Sequence, residues 1–149
     1  MILRKPFNQQ WHDDADEKGR EYAKAMFLKI YKLYAIDNIG KYKIDLVVYN
    51  GYGKIVCYAD AEIKKYLDDF RFDTLHILER KSKYFADING KPTLFCLFSP
   101  DGKICAMTRG SYLLNMKSVE VKNKAMAYGE HFYKVPMNMV RMINLGVSS

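Results

Sequence analysis

The chain has 149 residues, 49% hydrophobic and 28% charged, with 9 Gly and 4 Pro, a size and composition that suit one domain with one core. Its 14% aromatic share, including 12 Tyr, excludes a disordered chain, which lacks the apolar surface to offset chain entropy. Lys and Arg number 24 against 17 Asp and Glu, a formal charge of +7, and this balance favours polyanionic partners such as nucleic acid or anionic lipid.

Residues 1–12 show no period and are expected to form an N-terminal arm, followed by one domain over 13–149. From Asp13 the pattern turns helical. Ala23, Met26, Phe27, Ile30, Leu33 and Tyr34 recur at steps of three and four. Asp13, Asp14 and Asp16 suit the start of that helix, where carboxylates favour the dipole. Asn38-Ile39-Gly40 suits its stop. Tyr42–Tyr49 and Lys54–Lys64 read as two strands joined by the hairpin turn Asn50-Gly51-Tyr52-Gly53.

The second strand alternates. Ile55, Cys57, Ala59, Ala61 and Ile63 are predicted to face a helix, and Val56, Tyr58, Asp60, Glu62 and Lys64 the other side. Phe70–Ile77 reads as an extended connection and Glu79–Ala86 as a short basic helix. Asn89-Gly90 is a turn. Thr93–Ser99 and Lys103–Thr108 form a second hairpin around Pro100-Asp101-Gly102. Residues 111–128 fit helix or loop, and Glu130–Met137 reads as the last strand. The methionines 137, 139 and 142 read as a tail packing on the core. The order describes an α/β (α+β) fold with a mixed central sheet and helices on it.

Cys57, Cys96 and Cys105 are odd in number, form no CxxC and lie in apolar runs, so they read as buried thiols rather than a disulfide frame or zinc site. Met1–Trp11 lacks the apolar stretch of a signal peptide. No run approaches the ~20 apolar residues that span a membrane. A cytoplasmic protein with no membrane partner is expected.

The chemistry concentrates on the first hairpin. Glu62 and Lys64 lie two apart on one strand and share a face. If Asn50 pairs with Ile55, Asp45 sits opposite Asp60, with Glu62 on the diagonal about 7–8 Å away. Carboxylates crowded in this way repel unless a cation intervenes. A hard divalent ion with an oxygen donor set resolves this, and such an ion makes bound water a better nucleophile. The competing reading of Glu62-Ile63-Lys64 is a solvated surface salt bridge. Arg80, Lys81 and Lys83 can grip phosphates, or simply form a solvated face. Lys41, Lys43 and Lys65 extend the basic rim. His12, His76 and His131 lack metal-ligand spacing, and His76, in an apolar run, reads as a hydrogen-bonded structural residue or a substrate contact. Gly51-Tyr52-Gly53-Lys54 is a turn and not a phosphate loop.

An acidic helix start, an Asp on one strand and Glu-x-Lys on the next together resemble the PD-(D/E)xK nuclease superfamily. Here the match is Asp45 followed by Glu62-Ile63-Lys64. The stretches Phe70–Tyr84 and Gly129–Tyr133 are similar to small phage and mobile-element members, Holliday-junction resolvases among the wider group. The resemblance covers most of residues 13–135. It implies a restriction-endonuclease-like αβββαβ core and Mg²⁺- or Mn²⁺-dependent hydrolysis of phosphodiester bonds, in DNA rather than RNA, with a homodimer as the arrangement for cutting two strands. Asp45, Glu62 and Lys64 would be catalytic, and Asp45, Glu62, Asp60 and Glu17 would hold the metal. Arg80, Lys81, Lys83 and His76 would contact nucleic acid. Two departures stand out. Ile44 replaces the usual Pro, and the register favours Asp60 over Glu62 beside Asp45 unless a bulge intervenes. The resemblance also places a helix carboxylate near the metal. Asp16 lies at the edge of the apolar stripe, whereas Glu17 and Glu21 point away, and helix phase near the first turn is loose. Glu17 is taken into the metal set, with Asp16 and Glu21 as alternatives. The rival expectation is an inactive module of the same fold that binds nucleic acid or a host or phage protein.

Overall fold

A computed structural model of the chain describes residues 9–39, 43–68, 74–121 and 130–146. It begins with one long helix, α1 (Gln9–Tyr31), so residues 9–12, expected in the arm, are helical. Ala23, Met26 and Phe27 are buried along one side, where the sequence periodicity put the apolar stripe. The helix stops seven residues before the expected Asn38. Lys32 turns left-handed at φ 56°, and its N–H donates to the Leu28 carbonyl at 3.2 Å, an αL cap. Tyr34 thus falls beyond the helix and is exposed, as is Ile30 within it.

The residues beyond the cap form a strand that the periodicity concealed, β1 (Tyr34–Asp37). β2 (Leu46–Tyr49) and β3 (Ile55–Ile63) follow as the predicted hairpin, with Asp45 just ahead of β2. The hairpin is bulged. Leu46, Val47 and Val48 pair with Ala59, Tyr58 and Cys57, but Tyr49 pairs with Ile55. The unpaired Val56 reverses the alternation at the start of β3. Val56 packs on the α1 side and Ile55 joins Tyr49 and Tyr58 on the other, the opposite of the sequence expectation. From Cys57 onward the predicted faces hold.

The rest of the chain adds β4 (Thr74–Leu78), β5 (Thr93–Phe98), β6 (Ile104–Arg109), β7 (Val119–Val121), β8 (Glu130–Pro136) and β9 (Arg141–Asn144). The expected extended connection over 70–77 is in part the paired strand β4, and the expected basic helix is a 3-10 turn, Glu79–Tyr84. Gly110–Leu113 is another 3-10 turn, and residues 122–129 lie outside the described set. β8 is not the last strand. The methionine tail passes through a 3-10 turn, Met137–Met139, into β9, where Met142 is exposed.

Six strands form one mixed sheet in the order β1-β2-β3-β5-β6-β9, and β4-β8-β7 form a second, smaller sheet. β3 and β5 run parallel, and the other described pairs are antiparallel. A parallel pair needs a crossover, usually a helix. Here the described part of the crossover carries β4 and 3-10 turns, with no α-helix. α1 covers one face of the large sheet through Met26, Phe27, Ala59, Cys96 and Phe98. The small sheet covers the other, with Leu75, Ile77 and Val135 against Phe95 and Leu97. Cys57, Cys96 and Cys105 are buried free thiols, as expected. No helix among the described residues is long and apolar enough to cross a membrane.

Because the lysine at position 32 holds a left-handed conformation, Lys32→Gly removes steric strain of about 1–2 kcal/mol, less the larger entropy that glycine loses on folding. The variant is expected to be more stable by about 0.5–1 kcal/mol in urea unfolding. A loss of stability would show that Lys32 does not cap the helix in this conformation.

Candidate active site

β3 carries the acidic residues because it lies between β2 and β5, where its outward face is half covered. Asp60 is buried, at 4% exposure, and Glu62 is half-buried two residues on. Extending the β2–β3 register by one residue sets Asp45 beside Asp60, as the sequence count predicted. Asp45 is further tied to β3, since its Oδ2 accepts the Ala61 N–H at 3.1 Å. Its own carbonyl accepts the Asn38 N–H at 2.9 Å, which ties the residue after β1 to the entry of β2.

The buried carboxylates meet a lysine from the crossover. Lys81 Nζ donates to Asp60 Oδ2 at 2.6 Å and to Glu62 Oε2 at 3.1 Å. Glu62 also pairs through Oε1 with Lys64 Nζ at 3.0 Å. Burial works against the charge on Lys81, but Asp60 and Glu62 outweigh it and hold the ammonium above the usual lysine range. Burial, the strongest influence on Glu62, pulls its carboxyl up, but Lys81 and Lys64 together outweigh it and leave it below the ordinary value. Asp60 goes the other way. Burial pushes its carboxyl up to about 7 against the pull of Lys81, and Asp45 and Glu62 add to the rise.

These groups line a cleft of 230 Å³. Asp45, Asp60 and Glu62 form its acidic wall, Arg80, Lys81 and Lys83 its basic one, and Asp16 closes it from α1. α1 lies close to β3 at Gly19, where a Cβ would stand 3.5 Å from the Ala61 carbonyl oxygen. Asp16, one turn earlier, is thereby brought to the carboxylates. Glu17, the expected helix ligand, is exposed and does not line the cleft. Residues three apart share a helix face, so the phase set by Gly19 carries Asp16 inward and Glu17 out. Glu21 pairs with Lys24 at 3.1 Å.

Of the other expected site residues, Lys64 stands behind Glu62 rather than among the residues lining the cleft, with its Nζ 5.9 Å from the Phe132 ring centre. Lys81 is no rim residue; it is the centre of the charge cluster. Arg80 and Lys83 do lie on the rim, Lys83 with its Nζ 5.1 Å from the Tyr84 ring. His76 does not line the cleft. It sits on β4 opposite Lys134, and burial, then Lys134 and Lys64, holds its imidazole below the usual range. The sequence reading missed the position of Lys81. Its only signal was a basic residue in a charged run, without any indication that the crossover folds back over β3.

The donor set can be tested against a divalent ion. Asp60 and Glu62 already share one cation, the Lys81 ammonium, which stands where the charge of an ion would be wanted. Mg²⁺ needs only one or two protein carboxylates, its remaining positions being filled by water. Among the described residues no three His, Cys, Asp or Glu side chains enclose an ion by themselves. Asp45, Asp60 and Glu62 are the oxygen donors on which a hydrated Mg²⁺ or Mn²⁺ would draw, and Lys81 is the cation that now bonds two of them.

Comparison of the chain with protein-family models, with curated proteins and with solved structures returns no match.

Two outcomes follow from the buried cluster. Lys81→Met leaves two buried carboxylates without their shared cation and is expected to cost about 3 kcal/mol in urea unfolding; a neutral result would mean that the cluster is solvated. The second concerns pH. Asp60 binds its proton more tightly folded (about 7) than in its unperturbed state (3.8). Its stabilising contribution is therefore complete below the lower value and is lost as pH rises toward the higher one. Between about pH 4 and pH 7, wild type should lose up to about 1.4 kcal/mol per pH unit relative to Asp60→Asn. Parallel stability curves for the two proteins would refute the shift.

Proposed function

We propose that this protein is a divalent-metal-dependent phosphodiesterase that hydrolyses DNA, with Asp45, Asp60 and Glu62 as the ion-holding carboxylates. The observation that carries the reading is the cleft itself, in which buried carboxylates on adjacent strands face Arg80, Lys81 and Lys83. A phosphodiester needs both sides. Cations bind its oxygens, and carboxylates position the charge that assists attack on phosphorus. Mg²⁺ or Mn²⁺, when bound, would supply charge neutralisation and a more acidic water.

The chain's own residues account for the remaining roles. Arg80 and Lys83 hold the phosphate at the mouth. Lys64 fixes Glu62 by its 3.0 Å ion pair. Lys81 stabilises negative charge building on the phosphoryl oxygens from within the cleft. Asp16 is the helix carboxylate of this site. The PD-(D/E)xK relationship is supported by the β1-β2-β3 meander, by β5 parallel to β3, and by the placement of Asp45 at the entry to β2 and Glu62-Ile63-Lys64 at the end of β3. Cutting both strands of a duplex would take two copies, each with one cleft.

A second reading is favoured by one observation. Lys81 already satisfies Asp60 and Glu62, as expected of a nuclease-like fold that binds nucleic acid without cutting it. The two readings separate in a cleavage panel of single-stranded, duplex, flapped and four-way DNA with RNA as comparison, in Mg²⁺, in Mn²⁺ and in EDTA. The nuclease reading expects cutting that needs the ion and falls at least about 100-fold in Asp45→Asn and Glu62→Gln. Folded protein that binds these substrates and cuts none of them with either ion would establish the binding module instead.

A further inference from the structure

A larger cavity, 320 Å³ in volume, lies on the α1-bearing face of the large sheet, away from the acidic cleft. Its floor is apolar. The β5–β6 register pairs Leu94 with Arg109, and the β6–β9 register pairs Met107 with Arg141. Paired residues share a face, and Leu94 and Met107 pack against the core beneath α1, so both arginines belong to that face. Tyr112 and Met139 complete the walls. Met139 is held there by its carbonyl, which accepts the Thr108 hydroxyl at 2.8 Å.

The two guanidinium groups are under-used. Arg109 Nε is buried and has no hydrogen-bond partner. Its only ion pair among the described residues is a 3.4 Å contact from Nη2 to Asp87, both side chains being about 40% exposed. A buried donor left unpaired costs free energy that an acceptor would recover. Arg141 has no carboxylate partner among the described residues. Its guanidinium lies 5.5 Å from the Tyr31 ring centre, a cation–π arrangement that holds the group in place. No acidic side chain lines the cavity.

We infer that this cavity is a second ligand site, one that takes a phosphate ester bearing a nucleobase-sized ring. Two forked guanidinium groups match phosphate oxygens in geometry as well as charge. The Leu94 and Met107 floor suits a flat ring, methionine being adaptable at such contacts, and Tyr112 offers a stacking surface. The volume falls within the range of small-ligand pockets. The site is independent of the proposed phosphodiester cleavage, because it shares no residue with the acidic cleft. Two sources share the chemistry, a free mononucleotide and the 5′-phosphorylated end of a single strand.

Calorimetric titration in EDTA tests the site with adenosine 5′-monophosphate, adenosine, inorganic phosphate and a 5′-phosphorylated single-stranded oligodeoxynucleotide. Saturable binding of the monophosphate or of the oligonucleotide is expected, at least about tenfold tighter than adenosine or phosphate alone. Arg109→Ala and Arg141→Ala should each weaken it about tenfold, and Lys54→Ala, which removes a charge from a residue that does not line the cavity, should not. Arg141→Lys, which keeps the charge without the fork, gives an intermediate loss and guards against a folding defect in the alanine variant. Monophosphate binding identifies a free nucleotide as ligand, and oligonucleotide binding alone identifies a strand end. No saturable binding of either, or binding that both arginine variants retain at wild-type strength, would overturn the site.

Discussion

Two carboxylates buried side by side on a central strand repel each other and resist leaving water, and in this protein one lysine offsets both effects. Lys81 reaches over β3 from the 3-10 turn that follows β4 and bonds Asp60 and Glu62 together. The contact joins the hairpin bearing the acids to the crossover that closes the parallel pair β3–β5. It thus ties the position of the small sheet to the charge state of the large one. Removing Lys81 leaves buried Asp60 without its cation, the costliest outcome for such a cluster.

The same contact frames the functional question. A cation between Asp60 and Glu62 is what a metal-dependent hydrolase requires, and the chain already provides one. On the proposed phosphodiesterase reading the ammonium would give way to a bound ion. For a binding module it need not move. Asp60 sits at the pivot, because burial holds its carboxyl near neutrality, whereas the lysines keep Glu62 charged. In the arginine-lined cavity the counter-charge is slighter, a single 3.4 Å contact from Arg109 to Asp87 at half-exposed side chains.

Much of the large sheet was legible in the sequence because its signals are local. The Asn50–Gly53 turn and the alternation from Cys57 to Ile63 define the hairpin, and its register follows by counting. Asp45 opposite Asp60 came from that count and survives in the structure. What local patterns concealed was equally specific. Tyr34 and Leu33 continue the helical period of α1, so the strand β1 was hidden behind a helix that Lys32 ends by turning left-handed. The bulge at Val56 changed which of Ile55 and Val56 faces α1, since one inserted residue inverts a period-two pattern. Thr74–Leu78 carries no strong turn on either side and gains its identity as a strand only from pairing with β8.

By itself the sequence determined the acidic-and-basic composition of the hairpin, the pairing of Asp45 with Asp60, the buried thiols and the α+β character, all of which rest on spacing within a single element or across one turn. Only the tertiary structure decided which lysine enters the site. Lys64 was the candidate by sequence spacing and pairs with Glu62 without lining the cleft, whereas Lys81, 21 residues from Asp60 along the chain, arrives through a crossover whose path no local pattern encodes. The choice of Asp16 over Glu17 has the same origin. Helix phase relative to the sheet is settled by the close approach of Gly19 to Ala61, a contact between elements that spacing along the chain does not reveal.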